Sequence, residues 1–150
     1  MTPEQDELLC KKYPKIFKDR RGSIRETCMA WGFECGSGWF NIIDTLCSAA
    51  QHHIDWKIKS IEDPLEAEGL QIIATQVKEK FGGLRFYYMG GDDVIDGIVR
   101  MAESISYKTC EHCGVPGKKR DGGWIVTLCD SCHEEREKKK MERWKENLSD

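Results

Sequence analysis

Residues 110–132 read CEHCGVPGKKRDGGWIVTLCDSC and contain two Cys-x2-Cys pairs. The first pair is Cys110 and Cys113, and fifteen residues separate it from the second pair, Cys129 and Cys132. A Cys-x2-Cys turn lets two sulfurs converge on one ion, and Zn²⁺ prefers four ligands at tetrahedral corners. The spacing therefore predicts one structural zinc ion held by four thiolates. Since four sulfurs leave no position for water, we expect no catalytic role for this ion.

The residues around the cysteines predict a small finger. Glycines between the pairs permit tight turns, residues 124–128 are typical of a strand, and a charged helix is expected from Cys132 to about Asn147. The predicted order is a cysteine turn, a hairpin and then two ligands in the first turn of a helix. This order resembles treble-clef zinc fingers and, to some extent, zinc ribbons. The neighbouring His112 and His133 are expected outside the ligand shell. We assign 108–150 to this finger and 1–107 to a separate body.

Composition places the chain among soluble globular proteins. It has 150 residues, of which 39% are hydrophobic and 33% charged, and it shows neither a membrane-length apolar run nor a signal peptide. We therefore expect a cytoplasmic protein whose eight cysteines serve as metal ligands and buried thiols. A secreted disulfide framework is the alternative, but the paired spacing already accounts for half of the cysteines.

The body is predicted to be α+β, built as helix, β-hairpin and helix. Thr2, Pro3 and Gln5 form a helix start with a capping box, and Ser37 is a candidate cap for a long helix from Phe40. Residues 61–69 are predicted to be an acidic loop, and 70–89 a hairpin with its turn at Phe81-Gly82-Gly83 and the glycine pair at the corner. Asp92 or Asp93 should cap the last body helix. Its predicted buried stripe is Val94, Ile95, Ile98, Met101, Ala102 and Ile105.

Two glycine-flanked tryptophans and the polar side of the hairpin together suggest a ligand site. Large aromatic groups in a glycine-rich loop, next to cations on a strand, suit a ring stacked on an aromatic group and an anion held by arginine. The candidate ligand-binding residues are Trp31, Trp39, Lys78, Lys80, Arg85 and Tyr87. In the alternative interpretation both tryptophans belong to the core and Arg85 pairs with a carboxylate such as Glu103.

The segment 11–25 carries seven cations and one acid, which makes nucleic acid a second candidate partner, bound by this segment and the finger. The net charge of −3 argues mildly against a protein that coats nucleic acid.

No catalytic residue is predicted, because the sequence has no HExxH motif and no deaminase-type zinc motif. Cys35 has no obvious partner base and is expected to be a buried thiol.

Four stretches of the chain, at 31–40, 77–87, 110–114 and 127–132, resemble a group of small bacteriophage and prophage proteins with a four-cysteine finger. The resemblance implies a phage-encoded accessory protein that acts in the bacterial cytosol, and it brings no reaction with it. We therefore expect a non-enzymatic protein with one zinc ion that binds a host protein or sequesters a small anionic, nucleotide-like ligand, for example to counter host defence.

Overall fold

The computed structural model describes residues 1–147 and has an α+β fold. Five α-helices within these residues are connected by short loops and single 3-10 turns. The helices are α1 (Pro3–Lys12), α2 (Phe40–Lys57), α3 (Pro64–Leu70), α4 (Asp93–Ser106) and α5 (Asp130–Glu146). The strands are β1 (Phe33–Glu34), β2 (Ile73–Lys80), β3 (Gly83–Met89), β4 (Lys118–Arg120) and β5 (Val126–Leu128). None of the described helices is long and apolar enough to cross a membrane.

A three-stranded sheet in the order β1-β2-β3 forms the centre of the body. β1 runs parallel to β2, and β2 and β3 form the antiparallel hairpin that the sequence predicts. Val77, Leu84 and Phe86 are buried in one apolar cluster with Ile43 of α2 and Ile95 of α4. α2 and α4 therefore cover the apolar side of the sheet, and the alternating polar residues face away from it.

The edge of β3 is covered by side chains of α4. Ser106 Oγ accepts a hydrogen bond from the Leu84 N–H at 2.8 Å, and Glu103 Oε1 accepts one from the Phe86 N–H at 3.0 Å. An open strand edge is a template for unwanted pairing, so these contacts also protect the sheet. Glu103 is thus a backbone acceptor, and the ion pair between Arg85 and Glu103 that the alternative interpretation expects does not form within residues 1–147. Arg85 instead donates to Leu84 O and to the Tyr107 hydroxyl, each at 2.7 Å.

The hairpin turns at Phe81-Gly82, within the three residues expected there. Both residues have positive φ, 54° and 80°, as a two-residue type I′ turn requires. Gly83 is already part of β3, where a Cβ would lie 2.3 Å from the ring of Tyr107. Position 83 therefore requires glycine because the Tyr107 ring packs directly against the strand there.

Phe81 is an unusual residue for this turn, which leads to a stability prediction. Its side chain is 65% exposed, so it contributes little burial, while its left-handed backbone disfavours a bulky side chain. Phe81→Asn is expected to stabilise the protein by about 0.5–1 kcal/mol, because asparagine tolerates this conformation. Urea denaturation measures the change. Phe81→Ala loses the same ring without the conformational gain and serves as the control; equal midpoints for the two variants would contradict the explanation.

Residues 61–69 do not form only a loop, because α3 occupies most of them. Asp63 caps this helix by accepting from the Leu65 N–H at 3.0 Å, and Pro64 stands at its first position. The strand consequently begins at Ile73 and not at Leu70. An acidic stretch with a proline suggests irregular chain, although aspartate followed by proline is also a helix start signal.

The helix starts are partly as predicted. Thr2 forms the expected capping box with Gln5, and Asp92 caps α4 by accepting from the Ile95 N–H at 3.1 Å. Ser37 does not cap α2: it lies in a 3-10 turn, and Trp39 occupies the cap position without a side-chain hydrogen bond.

The predicted buried stripe of α4 is wrong in half of its members. Ile95 and Ala102 are buried as expected, together with Val99 and Ser106, which the prediction omitted. Val94, Met101 and Ile105 are 50%, 61% and 46% exposed. Two apolar faces run side by side on this helix, and the sequence period does not distinguish the face that meets the sheet from the face that does not.

Candidate metal centre

The four predicted ligands come together at one point. The sulfurs of Cys110, Cys113, Cys129 and Cys132 all lie within 4.8 Å of one another, and within residues 1–147 this group consists of these four cysteines. Cys110 is buried, whereas Cys113 is exposed. The site therefore lies at the surface of the finger, with one sulfur directed inward.

Local backbone structure holds each cysteine pair. In the first pair, Gly114 has φ 80° and donates to Cys110 O at 2.9 Å, which closes the turn. In the second, Cys129 is the N-cap of α5, and its sulfur accepts from the Cys132 N–H at 3.4 Å. The β4–β5 hairpin connects the pairs, and the Glu111 N–H donates to Thr127 O at 2.9 Å. Both pairs are thereby fixed relative to each other.

The electrostatics of the sulfurs suit a divalent cation. Burial disfavours the Cys110 thiolate, but backbone N–H groups of Cys129, Cys113 and His112 more than compensate and lower its pKa to about 7. Burial and the neighbouring thiols raise the pKa of Cys132. Four thiolates this close repel one another unless a cation lies between them. A soft divalent metal fits this donor set, and thiolate is the form that binds metal.

The two histidines next to the ligands are not part of this group, in agreement with the sequence interpretation. Nδ1 of His133 is buried and has no hydrogen-bond partner within the described residues.

The glycine–tryptophan loop binds the cysteine turn. The Gly38 N–H donates to Glu111 O at 2.7 Å, the Gly36 N–H donates to Glu111 Oε1 at 3.0 Å, and Trp39 Nε1 donates to Thr109 O at 2.9 Å. A Cβ on Gly38 would lie 2.1 Å from Cys110 O, so only glycine permits this approach. We call residues 36–39 the clasp. Burial raises the pKa of the Glu111 carboxyl, despite its hydrogen bond to Gly36.

A second contact joins the finger to the body. Thr127, fully buried on β5, donates from its hydroxyl to Gly82 O in the hairpin turn at 2.6 Å. The finger is therefore attached to the body on two sides, by the clasp and by the turn.

A cavity of about 610 Å³ lies beside the metal site, between α5, the cysteine turn and the end of β2. Its lining includes the carboxylates of Glu79, Glu111 and Glu135 and the cations of Arg136, Lys139 and Arg143. Glu79 accepts from the Gly82 N–H, and Lys139 pairs with Glu135 at 2.7 Å. Because the charges are balanced, this cavity has no clear preference for an anion.

The structure places the six predicted ligand residues in different environments. Trp39 is fully buried, so its side chain cannot contact a ligand at the surface, and this residue belongs to the clasp. Trp31 is 63% exposed. Lys78 lies opposite Arg85 in the hairpin register, and the Lys78 Nζ is 5.9 Å from the Tyr87 ring centroid. Alternation puts these side chains on the side of the sheet that faces away from α2 and α4. We call Lys78, Lys80, Arg85 and Tyr87 the basic face.

The basic segment 11–25 is partly structural. Arg20 binds the Asp6 carboxylate at 2.7 Å and donates to Ala30 O at 3.1 Å, and Lys12 binds Asp44 at 2.5 Å. Two of its seven cations are therefore engaged in holding the N-terminal region to α2 and to the loop before β1.

Burial raises the thiol pKa of three of the four remaining cysteines, Cys10, Cys35 and Cys47. Cys35 and Cys47 are buried, and burial raises the pKa of Cys35 to about 12. Burial and Asp6 raise the pKa of Cys10 to about 11. Thiols of this kind stay protonated at neutral pH and react slowly. Cys28 is exposed.

The fold and the site define a small α+β protein with a cluster of four cysteines that could hold a metal ion. No family model, curated protein or solved structure matches the chain.

Proposed function

We propose that this protein is a zinc-stabilised, non-enzymatic binding protein with a treble-clef finger. The supporting observations are the four clustered sulfurs and the order of cysteine turn, β4–β5 hairpin and α5, with Cys129 and Cys132 at the start of the helix. Four thiolates are a typical structural zinc site. Zinc bound there would have no open position, so its contribution would be to link segments with little core of their own.

The proposed ligand is small, anionic and nucleotide-like, and the proposed site is the basic face. One observation carries this proposal: Lys78, Lys80 and Arg85 share one exposed side of the sheet, and none of them forms an ion pair within residues 1–147. Cations on a surface without nearby carboxylate partners attract anions. Glu34 lies beside Lys78 in the register of β1 and β2, but its carboxylate accepts a hydrogen bond from Gln76 at 3.2 Å and forms no ion pair within residues 1–147.

The chemistry of the face fits a phosphate and a ring. Tyr107 and Leu84 O take up two donors of Arg85 and hold its guanidinium in place. The other donors remain for a phosphate, which a guanidinium can bind through two parallel hydrogen bonds. Tyr87 is 41% exposed and offers an aromatic surface for a base.

Single-stranded nucleic acid is the second candidate, because the basic face is an open sheet surface on which cations stand beside an aromatic ring. This combination is used to bind single strands without sequence preference. Affinity for an oligonucleotide should then fall steeply as salt is added, whereas a single nucleotide releases few counterions.

Arg85→Ala tests the site. We expect it to weaken binding of a fluorescent nucleoside triphosphate, or of a labelled single-stranded oligonucleotide, at least about tenfold, since a charged hydrogen bond contributes about 1.5–3 kcal/mol. Its melting temperature should change by only a few degrees, because the side chain is partly exposed and loses only two hydrogen bonds, one of them exposed. Fluorescence anisotropy with both probes, at two salt concentrations, decides which ligand is bound.

Arg25→Ala is the matched control, because it removes the same side chain from the segment 11–25. Arg85→Ala with unchanged affinity would contradict the proposed site. A loss of oligonucleotide binding in Arg25→Ala alone would move the site to that segment. Action on a host protein in a phage-infected cell is proposed only from the resemblance to phage proteins, and failure of both probes would favour such a protein partner.

A further inference from the structure

A groove of about 240 Å³ runs between α2 and α4 on the outer side of the helix layer. None of its lining residues is charged, although 33% of the chain is. They are Asn41, Ile42, Thr45, Leu46, Ala49, Ile98, Met101, Ala102 and Ile105. The outer face of a surface helix is normally polar, so an uncharged apolar face indicates a surface that is covered in the functional state.

The exposed side of α4 has the spacing of a helix-packing seam. Val94, Ile98, Met101 and Ile105 follow one another at intervals of four, three and four residues, as apolar positions do in a pair of packed helices. Val94, Met101 and Ile105 are 50%, 61% and 46% exposed, and Ile98 is only partly buried against the core, so most of this seam is not covered within the described chain. A second helix laid along α4 would bury it.

The position of Gly97 on the same helix provides a second, independent observation. It lies in the interior of α4, where glycine is less favourable than alanine, and a Cβ there would meet nothing within 4 Å in the described chain. The fold of one chain therefore gives no reason for this glycine. It lies next to the seam, between Val94 and Met101 on the helix surface, where its missing side chain would let another backbone approach closely.

We propose that a second copy of this chain covers this face, with α4 of the two copies antiparallel about a two-fold axis. In that register Ile98 of one copy lies opposite Met101 of the other, and Val94 lies opposite Ile105. Each layer is apolar on both sides, so the patch is complementary to itself, as a two-fold contact requires. The resulting dimer has two helix layers between two outer sheets, and both basic faces remain open.

The other helix that this chain could supply fits the groove less well. α5 has exposed apolar residues only at Met141 and Trp144, and the rest of its exposed surface is largely charged. Laying it along the groove would bury charged side chains against a lining without charged partners, which is unfavourable.

Sedimentation and light scattering of the full-length, metal-loaded protein test the proposal. We expect twice the chain mass of 17.3 kDa, with dissociation on dilution. Met101→Glu or Ile105→Glu should give a monomer with an unchanged circular dichroism spectrum, because both side chains are exposed in the single chain. Leu65→Glu, at a 77% exposed apolar residue outside the groove, should leave the dimer intact.

Gly97→Ala tests whether the α4 helices of the two copies approach closely or make a looser contact. A dimer built on α4 should dissociate at least about tenfold more readily with this variant. A protein that is monomeric at every concentration, or a dimer that Met101→Glu leaves unchanged, would overturn the proposal. So would an unchanged dissociation constant for Gly97→Ala, or a dimer disrupted by Trp144→Glu and not by Met101→Glu. None of these outcomes depends on ligand binding, which Arg85→Ala tests separately.

Discussion

Cys113→Ser is expected to release the metal and to lower the free energy of unfolding by at least about 3 kcal/mol, or roughly 6–12 °C in Tm for a chain of this size. Structural zinc contributes about 10–16 kcal/mol of binding energy in isolated finger peptides, and loss of one ligand of four removes a large part of it. Metal analysis of the wild-type protein, purified without chelators, should give one zinc per chain, and the variant should give almost none.

The choice of Cys113 makes this test specific to the metal. Its side chain is exposed, so replacing sulfur with oxygen leaves no cavity and loses no packing. The apolar cluster of the finger is small: Cys110, Val126 and Leu128 are buried, with Cys129 and Cys132 packed against them. A segment with so small a core needs a cross-link such as a bound metal ion to stay folded.

Cys28→Ser is the matched control, since Cys28 is an exposed cysteine in the body, outside the cluster of four. Its effect should stay within about 0.5 kcal/mol. A wild-type protein without bound metal, or a Cys113→Ser variant as stable as Cys28→Ser, would show that the four sulfurs do not hold the fold together.

The features that the sequence predicted correctly are local. The four cysteines are grouped by two short turns and one hairpin, and the capping box at Thr2 spans three residues, so pattern and spacing are sufficient. The alternation along β3 was likewise predictable, because Leu84 and Phe86 face the core while Tyr87 faces outward. The α+β class follows from these elements.

The features that were missed depend on contacts between distant parts of the chain. The clasp joins Gly36 to Glu111, which is 75 positions away, and no periodicity signals such a pair. The glycines around Trp39 were interpreted as part of a ligand loop, whereas they allow the loop to lie against the cysteine turn. The buried face of α4 was predicted only in part for a related reason: the choice between two apolar stripes depends on which of them packs against the sheet.

Gly38→Ala is the second variant with a large expected effect, because the clasp leaves no space for a side chain. An added Cβ would lie 2.1 Å from Cys110 O, 2.5 Å from Gly114 N and 2.7 Å from the Glu111 carbonyl carbon. All three are backbone atoms of the turn that the Gly114 N–H to Cys110 O hydrogen bond closes, so no flexible side chain can move away. Separating the loops also breaks the 2.7 Å hydrogen bond from Gly38 N–H to Glu111 O and the bond from Trp39 to Thr109 O.

We expect Gly38→Ala to cost about 3 kcal/mol, from overpacking together with buried hydrogen bonds left without partners. Gly69→Ala is the matched control: it adds the same methyl group in α3, where a Cβ meets nothing within 4 Å of the described chain. That change should be neutral or stabilise by up to about 1 kcal/mol, through helix propensity. Chemical denaturation of both variants gives the difference.

The metal content of Gly38→Ala distinguishes the clasp from the metal site itself. The four sulfurs are held by turns within 110–132, so the variant should keep one zinc per chain while losing stability, unlike Cys113→Ser. Amide hydrogen exchange should rise at 36–39 and at 109–111, because the two loops then separate. Stability equal to that of Gly69→Ala would mean that the finger and the body are not joined through this clasp. Loss of zinc would mean that the body is needed to form the metal site, since a finger that folds by itself keeps its metal when it detaches.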